Sequence, residues 1–414
     1  MKNHSCILNF FKKEIVFEIA FLLALASTIY LASIGTFSAT TTTDSDKVSF
    51  AHHIVSSIDF RVLSILLSLM LVVAGLQKIG FFTWSANFLC HSLTNLRSLS
   101  IVLILLCFFS SMFITNDVSL ITFVPFTLMI LSSTQNFNRA SYIVVLQTIA
   151  ANLGSMLTPI GNPQNLFLFS KMNLSLSSFM LVLLPYTILS LVLLLLCTLF
   201  IPKTSLPRKK IEASHRTTSR HNSKKTTIIG AILFSLLFVL CILCVLSFIP
   251  YYIVLPIVFF SVAIFDYKLL LKADYMLLLT FCSFFIFTHN ISLIPVVKDS
   301  LQNVVNGHEF WVSLALSQII SNVPATLLLY PFCADAKNLL LGVDIGGLGT
   351  LIASLASLIS FKIYTNFQSA QSSQESITST HRLPTLKYLG IFTLMNIVFL
   401  IVLIILFKFA IVHF

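Results

Sequence analysis

Charge is what this chain has least of. Charged residues occupy 9% of 414 positions and apolar residues 57%, for a mean hydropathy of +0.97. That deficit excludes a soluble globule, whose core must be wrapped in a charged surface. Catalytic signatures are missing too. No HExxH, GxSxG or P-loop pattern occurs, so hydrolase, protease and ATPase chemistry has no anchor and no enzyme is expected. The eight cysteines are spread through apolar segments and read as small hydrophobes. Cys241 and Cys244 have a metal-like spacing, but no His or carboxylate lies beside them in the span. His52-His53 reads as solvated loop surface. The net charge of +11 belongs to loops and implies no nucleic-acid partner.

What is present is lipid-compatible helix. About 20 apolar residues carry a helix across a bilayer core. Nine candidate spans lie near 15–34, 60–80, 141–168, 178–201, 227–247, 251–265, 274–290, 338–363 and 388–412. Two further apolar segments, 98–133 and 309–333, are each divided by a hydroxyl-Asn pair. A polar break at membrane depth requires surrounding protein or a water-filled cavity. These segments are predicted to be re-entrant hairpins of two half-helices, with Asn116 and Asn322 at the tips. The fold class is an all-α polytopic membrane protein. Loops 202–226 and 364–385 are polar and Ser/Thr-rich, and read as flexible connections.

Positive charge sets the sidedness. The loop after Ile201 carries eight of the chain's 25 Lys and Arg against one Glu, which makes it cytoplasmic. Counting outward places Arg97, Arg139, Lys268, Lys272 and Arg382 inside, together with the N-terminus and its Lys2, Lys12 and Lys13. The Asp44 and Asp46 loop and the C-terminus fall outside. The expected location is an inner or plasma membrane. A basic start and an apolar run also resemble a signal peptide, but span 251–265 requires a counterpart in the first half.

The chain also repeats itself. Thr115-Asn116 and Ser321-Asn322 are followed at the same distance by Pro125-Phe126 and Pro331-Phe332. Each is trailed by a second matching segment, 151–166 and 343–358, in which Gly154 meets Gly346, Thr158 meets Thr350 and Leu166 meets Leu358. Asp59-Phe60 and Asp274-Tyr275 open matching helices. With the sidedness above, the two copies are inverted across the membrane. The division is then 1–201 (first repeat), 202–226 (basic linker), 227–250 (a connecting helix) and 251–414 (second repeat). A duplicated pair of broken polar segments is the outline of a secondary transporter.

Each tip exposes carbonyls at the end of one half-helix and N–H groups at the start of the next. Oxygens of Thr115, Asn116, Ser321 and Asn322 suit sodium, and the N–H ends suit an anion. Pro159 and Pro163 flank Gly161 and break the helix, so Thr158, Gly161, Asn162 and Asn165 line a cavity. Thr350, Ser354 and Ser357 take the matching places without the prolines. Hydroxyl and amide side chains that merely bridge helices are the plainer alternative.

ITNDVSLITFVPF, SMLTPIGNPQNL, IISNVPATLLLYPF and DIGGLGT, in that order, resemble the ion transporter superfamily. It holds citrate and divalent-anion/sodium symporters, arsenite efflux permeases and sodium/proton antiporters of the NhaD type. The resemblance spans roughly residues 55 to 410. It implies an elevator-type homodimer that carries a small anion with Na+ or H+ as coupling ion and no other cofactor. The tip of the dicarboxylate branch reads Ser-Asn-Thr. Here Asp117 and Val323 take its third position, and an Asn-Asp tip is closer to the arsenite permease and antiporter branches.

Asp117 and Asp344 are the carboxylates placed inside the motif-bearing segments. An ionised Asp at the bilayer centre costs at least about 2.5–3.5 kcal/mol, so each is expected to be partnered or protonated. For Asp117, capping its own helix is the competing role. Proton coupling needs such a group, whereas sodium coupling needs only the neutral tip oxygens. A non-transporting membrane receptor or scaffold that keeps the fold remains a third reading.

Overall fold

The computed structural model describes residues 15–34, 37–38, 48–90, 93–172, 174–206, 224–374 and 382–413. Apart from a two-residue parallel pairing of Phe37–Ser38 with Val48–Ser49, its regular structure is helical. In chain order the helices are α1 Ile15–Ser33, α2 Phe50–Ser57, α3 Phe60–Lys78, α4 Phe81–Cys90, α5 Leu96–Ile114, α6 Asn116–Ser133, α7 Ala140–Ser155, α8 Pro163–Met172 and α9 Leu176–Thr198. There follow α10 Lys224–Val245, α11 Tyr251–Asp266, α12 Tyr275–Ser292, α13 Pro295–Val305, α14 Glu309–Ile320, α15 Asn322–Leu329, α16 Ala336–Gly346, α17 Leu355–Gln374 and α18 Arg382–His413.

Nine helices among the described residues are long and apolar enough to cross a membrane. Two of them differ from the expected spans. The arms of the first hairpin, α5 and α6, have 19 and 18 residues and are each about 28 Å long, so they are not half-helices. Apolar sequence continues far enough on both sides of the tip to fill a whole span. The second hairpin keeps shorter arms, 12 and 8 residues in α14 and α15. Segments 141–168 and 338–363 are broken, as expected, between α7 and α8 and between α16 and α17. Residues 364–374 are the end of a helix rather than a loop, because Ile363, Tyr364 and Phe367 prolong its apolar face. Tyr364 and Phe367 stack on Phe137 at 6.2 and 5.9 Å. Residues 375–381 and 207–223 lie outside the described residues, and 382–385 open α18.

Both Asp-capped helices start alike. Asp59 accepts a bond from the Val62 N–H at 3.0 Å and Asp274 from the Leu277 N–H at 2.9 Å, so each carboxylate satisfies an orphan donor of a first turn. Helices of matching position also make matching contacts. α1 packs on α12 as α11 packs on α3, and α5 packs on α7 as α14 packs on α16. At the centre, every residue of α7 except Tyr142 is buried. Large apolar side chains on α1, α9, α10, α11 and α18 point outward, the arrangement for helices bathed in lipid rather than water.

Candidate functional site

Each hairpin turns at one residue. Thr115 has φ +70°, ψ 151° and Ser321 has φ +77°, ψ 154°, a region that residues with a side chain avoid at a cost of about 1–3 kcal/mol. The same bond secures both turns. The Asn116 N–H donates to Gly161 O at 3.2 Å and the Asn322 N–H to Ala353 O at 3.0 Å, and Gly161 and Ala353 are aligned positions of the two breaks. A second bond repeats as well. The Thr158 hydroxyl donates to Met112 O, and the Thr350 hydroxyl donates to Gln318 O at 3.0 Å. Gly154 lies against Phe108 and Ser111 of α5, as Gly346 lies against Leu314 and Ser317 of α14. No prolines open the second break. There Gln318 takes over, donating to Gly346 O and Leu348 O at 2.7 and 2.9 Å and accepting from the Thr350 N–H at 3.0 Å.

The breaks meet at two aligned side chains, Asn152 on α7 and Asp344 on α16. Asn152 Oδ1 accepts from Asn116 Nδ2 at 3.1 Å and from the Ser354 hydroxyl at 3.0 Å, and its Nδ2 donates to Ser357 Oγ at 3.2 Å. Asp344 Oδ1 accepts from Asn162 Nδ2 and Gln164 Nε2, both at 3.3 Å. The Asn165 amide adjoins the same carboxylate, with Nδ2 donating to Met156 O at 2.8 Å and to Thr158 O at 3.4 Å. Asp344 Oδ2 and Asn165 Oδ1 are buried without a hydrogen-bond partner.

The structure thus brings Asn116, Asn162, Asn165, Asp344 and Ser354 into one buried network. Ser321 and Asn322 sit at its edge, with Ser321 donating to Ala353 O at 3.4 Å. Thr158 and Thr350 are ties between break and hairpin, and Thr350 is exposed. Sequence reasoning did not name Asn152, Gln164 and Gln318. The gapless alignment carried the signal for Asn152, since it pairs that residue with Asp344.

A cavity of about 460 Å3 reaches this network from one side, with Thr115, Asp117, Asn162 and Gln77 on its wall and Lys272 and Asp274 towards one end of the helices. Asp117 does not cap α6. Its Oδ1 has no partner, and the Asp117 N–H is taken by Asn116 Oδ1 at 2.9 Å. The corresponding cleft beside the second hairpin is about 190 Å3 and stops at Leu327, Tyr330 and Pro331 without touching the tip. There α15 packs on α12, and Lys171 bonds Asp59 at 2.6 Å. His53, expected in solvent, is buried. It bonds Asn290 at 2.7 Å and lies 4.9 Å from the His289 ring, because α2 folds back onto α12.

Paired broken helices enclosing a polar centre within a bundle of spans define a membrane permease. The profile of the citrate transporter family matches residues 14–356, and the chain belongs to that family. It is 32% identical over 298 residues to an uncharacterized transporter of Methanocaldococcus jannaschii, covering 72% of this chain and 79% of the relative. It is 31% identical over 305 residues to inner membrane protein YbiR of Escherichia coli, covering 72% and 78%. A silicon efflux transporter of Oryza sativa subsp. japonica is 32% identical over 145 residues, 34% of this chain and 30% of the relative.

Proposed function

We propose that the chain is a secondary active transporter that moves a small anion, organic or inorganic, together with Na+ or H+. One observation carries this reading. The first turn of α6, which favours an anion, shares its cavity with the unpartnered carboxylate of Asp117. A bare anion is repelled there until a cation neutralises Asp117, so the two solutes favour each other's binding, and that coupling is reciprocal. Uptake by proteoliposomes of carboxylates, sulfate, phosphate and arsenite under separate sodium and pH gradients tests it. The expected result is accumulation of one anion that collapses with its cation gradient and is lost in Asn116→Ala and Asn322→Ala. Accumulation without any cation gradient refutes coupling.

The wall carboxylate also favours a second reading, sodium/proton exchange or efflux of an uncharged metalloid acid. In the same assay it gives cation exchange or arsenite efflux with no anion uptake. A receptor or scaffold gives no flux at all. We further propose that the two copies are inverted across the membrane, that they form an elevator-type homodimer, and that the N-terminus is cytoplasmic. The repeated contacts of tips and breaks support the internal symmetry on which that arrangement depends.

A further inference from the structure

The two aligned side chains at the meeting point of the breaks differ by one chemical group. In the first copy, Asn152 accepts through Oδ1 from Ser354 and donates through Nδ2 to Ser357. In the second, Asp344 accepts through Oδ1 from Asn162, the residue aligned with Ser354. Its Oδ2 is the atom that answers to the NH2 group of Asn152, and Asn165, the residue aligned with Ser357, adjoins the same carboxylate. Both Asp344 Oδ2 and Asn165 Oδ1 lack a partner, although Asp344 is 3% and Asn165 0% exposed. Two orphaned acceptors in one buried network cost free energy unless something fills the gap.

We infer that Asp344 is the proton site of the transport cycle, with the proton carried on Oδ2. It rests on the reading of the chain as an ion-coupled transporter and names the ion and the residue. A proton on Oδ2 gives Asp344 the donor that Asn152 has in the first copy. A hard metal cation instead gathers six or more oxygens, and two side-chain oxygens of this network lack a partner among the described residues. Asn162 is the link to solvent, since it donates to Asp344 and also lines the cavity. The side chains facing Asp344 are the amides of Asn162, Gln164 and Asn165. The charged groups on the cavity wall beyond Asn162 are Asp117, Lys272 and Asp274. In the cycle, Oδ2 takes a proton from the open side when the cavity reaches Asn162, and releases it to water on the other side.

The test is infrared difference spectroscopy of the purified full-length protein as pH is changed, with no transported solute added. The wild type is expected to show a carboxylic-acid C=O band at neutral pH that is absent in Asp344→Asn and present in Asp117→Asn. Asn165→Ser, which installs the residue of the matching position, is expected to keep the band at a shifted frequency. Asp344→Asn places the amide found at Asn152, so thermal unfolding close to wild type is expected and confirms folding. The inference is overturned if wild type and Asp344→Asn have the same acid bands, if Asp117→Asn loses the band instead, or if sodium replacing choline at fixed pH abolishes it with proton release. A failed flux assay with the band intact would sink the transporter reading, and with it the role in a cycle, while leaving Asp344 a protonated group.

Discussion

Thr115 and Ser321 hold backbone angles that glycine adopts freely. Replacing Ser321 with glycine removes about 1–3 kcal/mol of strain, and costs about 1 kcal/mol for the hydroxyl bond to Ala353 O plus about 0.5–1 kcal/mol of backbone entropy. Ser321→Gly should therefore unfold within about 1 kcal/mol of wild type while transport falls, because a loosened tip no longer fixes the Asn322 N–H on its carbonyl. Unfolding in detergent and flux in proteoliposomes read the two effects separately, and a strongly destabilised variant refutes the strain argument. Asp344→Asn should lose pH-driven accumulation yet keep solute exchange, since the amide preserves the two bonds at Oδ1. Retained concentrative uptake driven by a pH gradient would contradict this. At this scale the sequence was most legible where a residue type is rare in lipid. Asn116, Asp117, Asn322 and Asp344 stand out among apolar neighbours. Asn152 and Gln318 did not, because their importance lies in what faces them across the bundle, 202 residues away for the Asn152 bond to Ser354.

Among the elements, breaks and hairpin arms pack closely at glycines. A Cβ on Gly154 would lie 2.1 Å from the backbone carbonyl oxygen of Phe108, whereas one on Gly346 would lie 2.9 Å from Ser317 Cβ and 3.1 Å from Leu314 Cα. Both neighbours move only with their helix, and the overlap at Gly154 is the deeper by 0.8 Å. Gly154→Ala should cost about 1–3 kcal/mol, the usual penalty for overpacking, and Gly346→Ala less. Equal melting temperatures for the two variants would show that α5 shifts freely. Element positions were largely readable from apolar runs and the two polar interruptions. The full-span length of α5 and α6 was not, because a polar tip reads the same whether its arms are short or long. Helices α2, α4 and α13 were also missed. They are 8, 10 and 11 residues long, too short to signal a span and too apolar or mixed to signal a loop.

For the whole molecule, the inverted arrangement makes a prediction about sides. In a cysteine-free background, cysteines at Ser219 and His413 should react with an impermeant thiol reagent from opposite faces of the membrane. Reaction of both from one face rules inversion out. The two clefts make another. A cysteine at Ala74, on the wall of the larger cavity, should react readily from one side, while one at Thr288 in the smaller cleft should be shielded.

The Lys171–Asp59 pair bears on how the molecule rests between turnovers. Lys171 aligns with Ile363, so the second copy has no lysine at the position that would answer to Lys171 opposite Asp274. In an alternating-access cycle of the kind proposed above, a half-exposed ion pair at this cleft without a counterpart at the matching position would tilt the balance by up to about 1 kcal/mol, about fivefold in occupancy. Under that proposal the resting molecule would keep its cavity open on the Asp274 side. Lys171→Met should level the tilt and raise the reactivity of a cysteine at Thr288, and reversing both charges, Asp59→Lys with Lys171→Asp, should restore it.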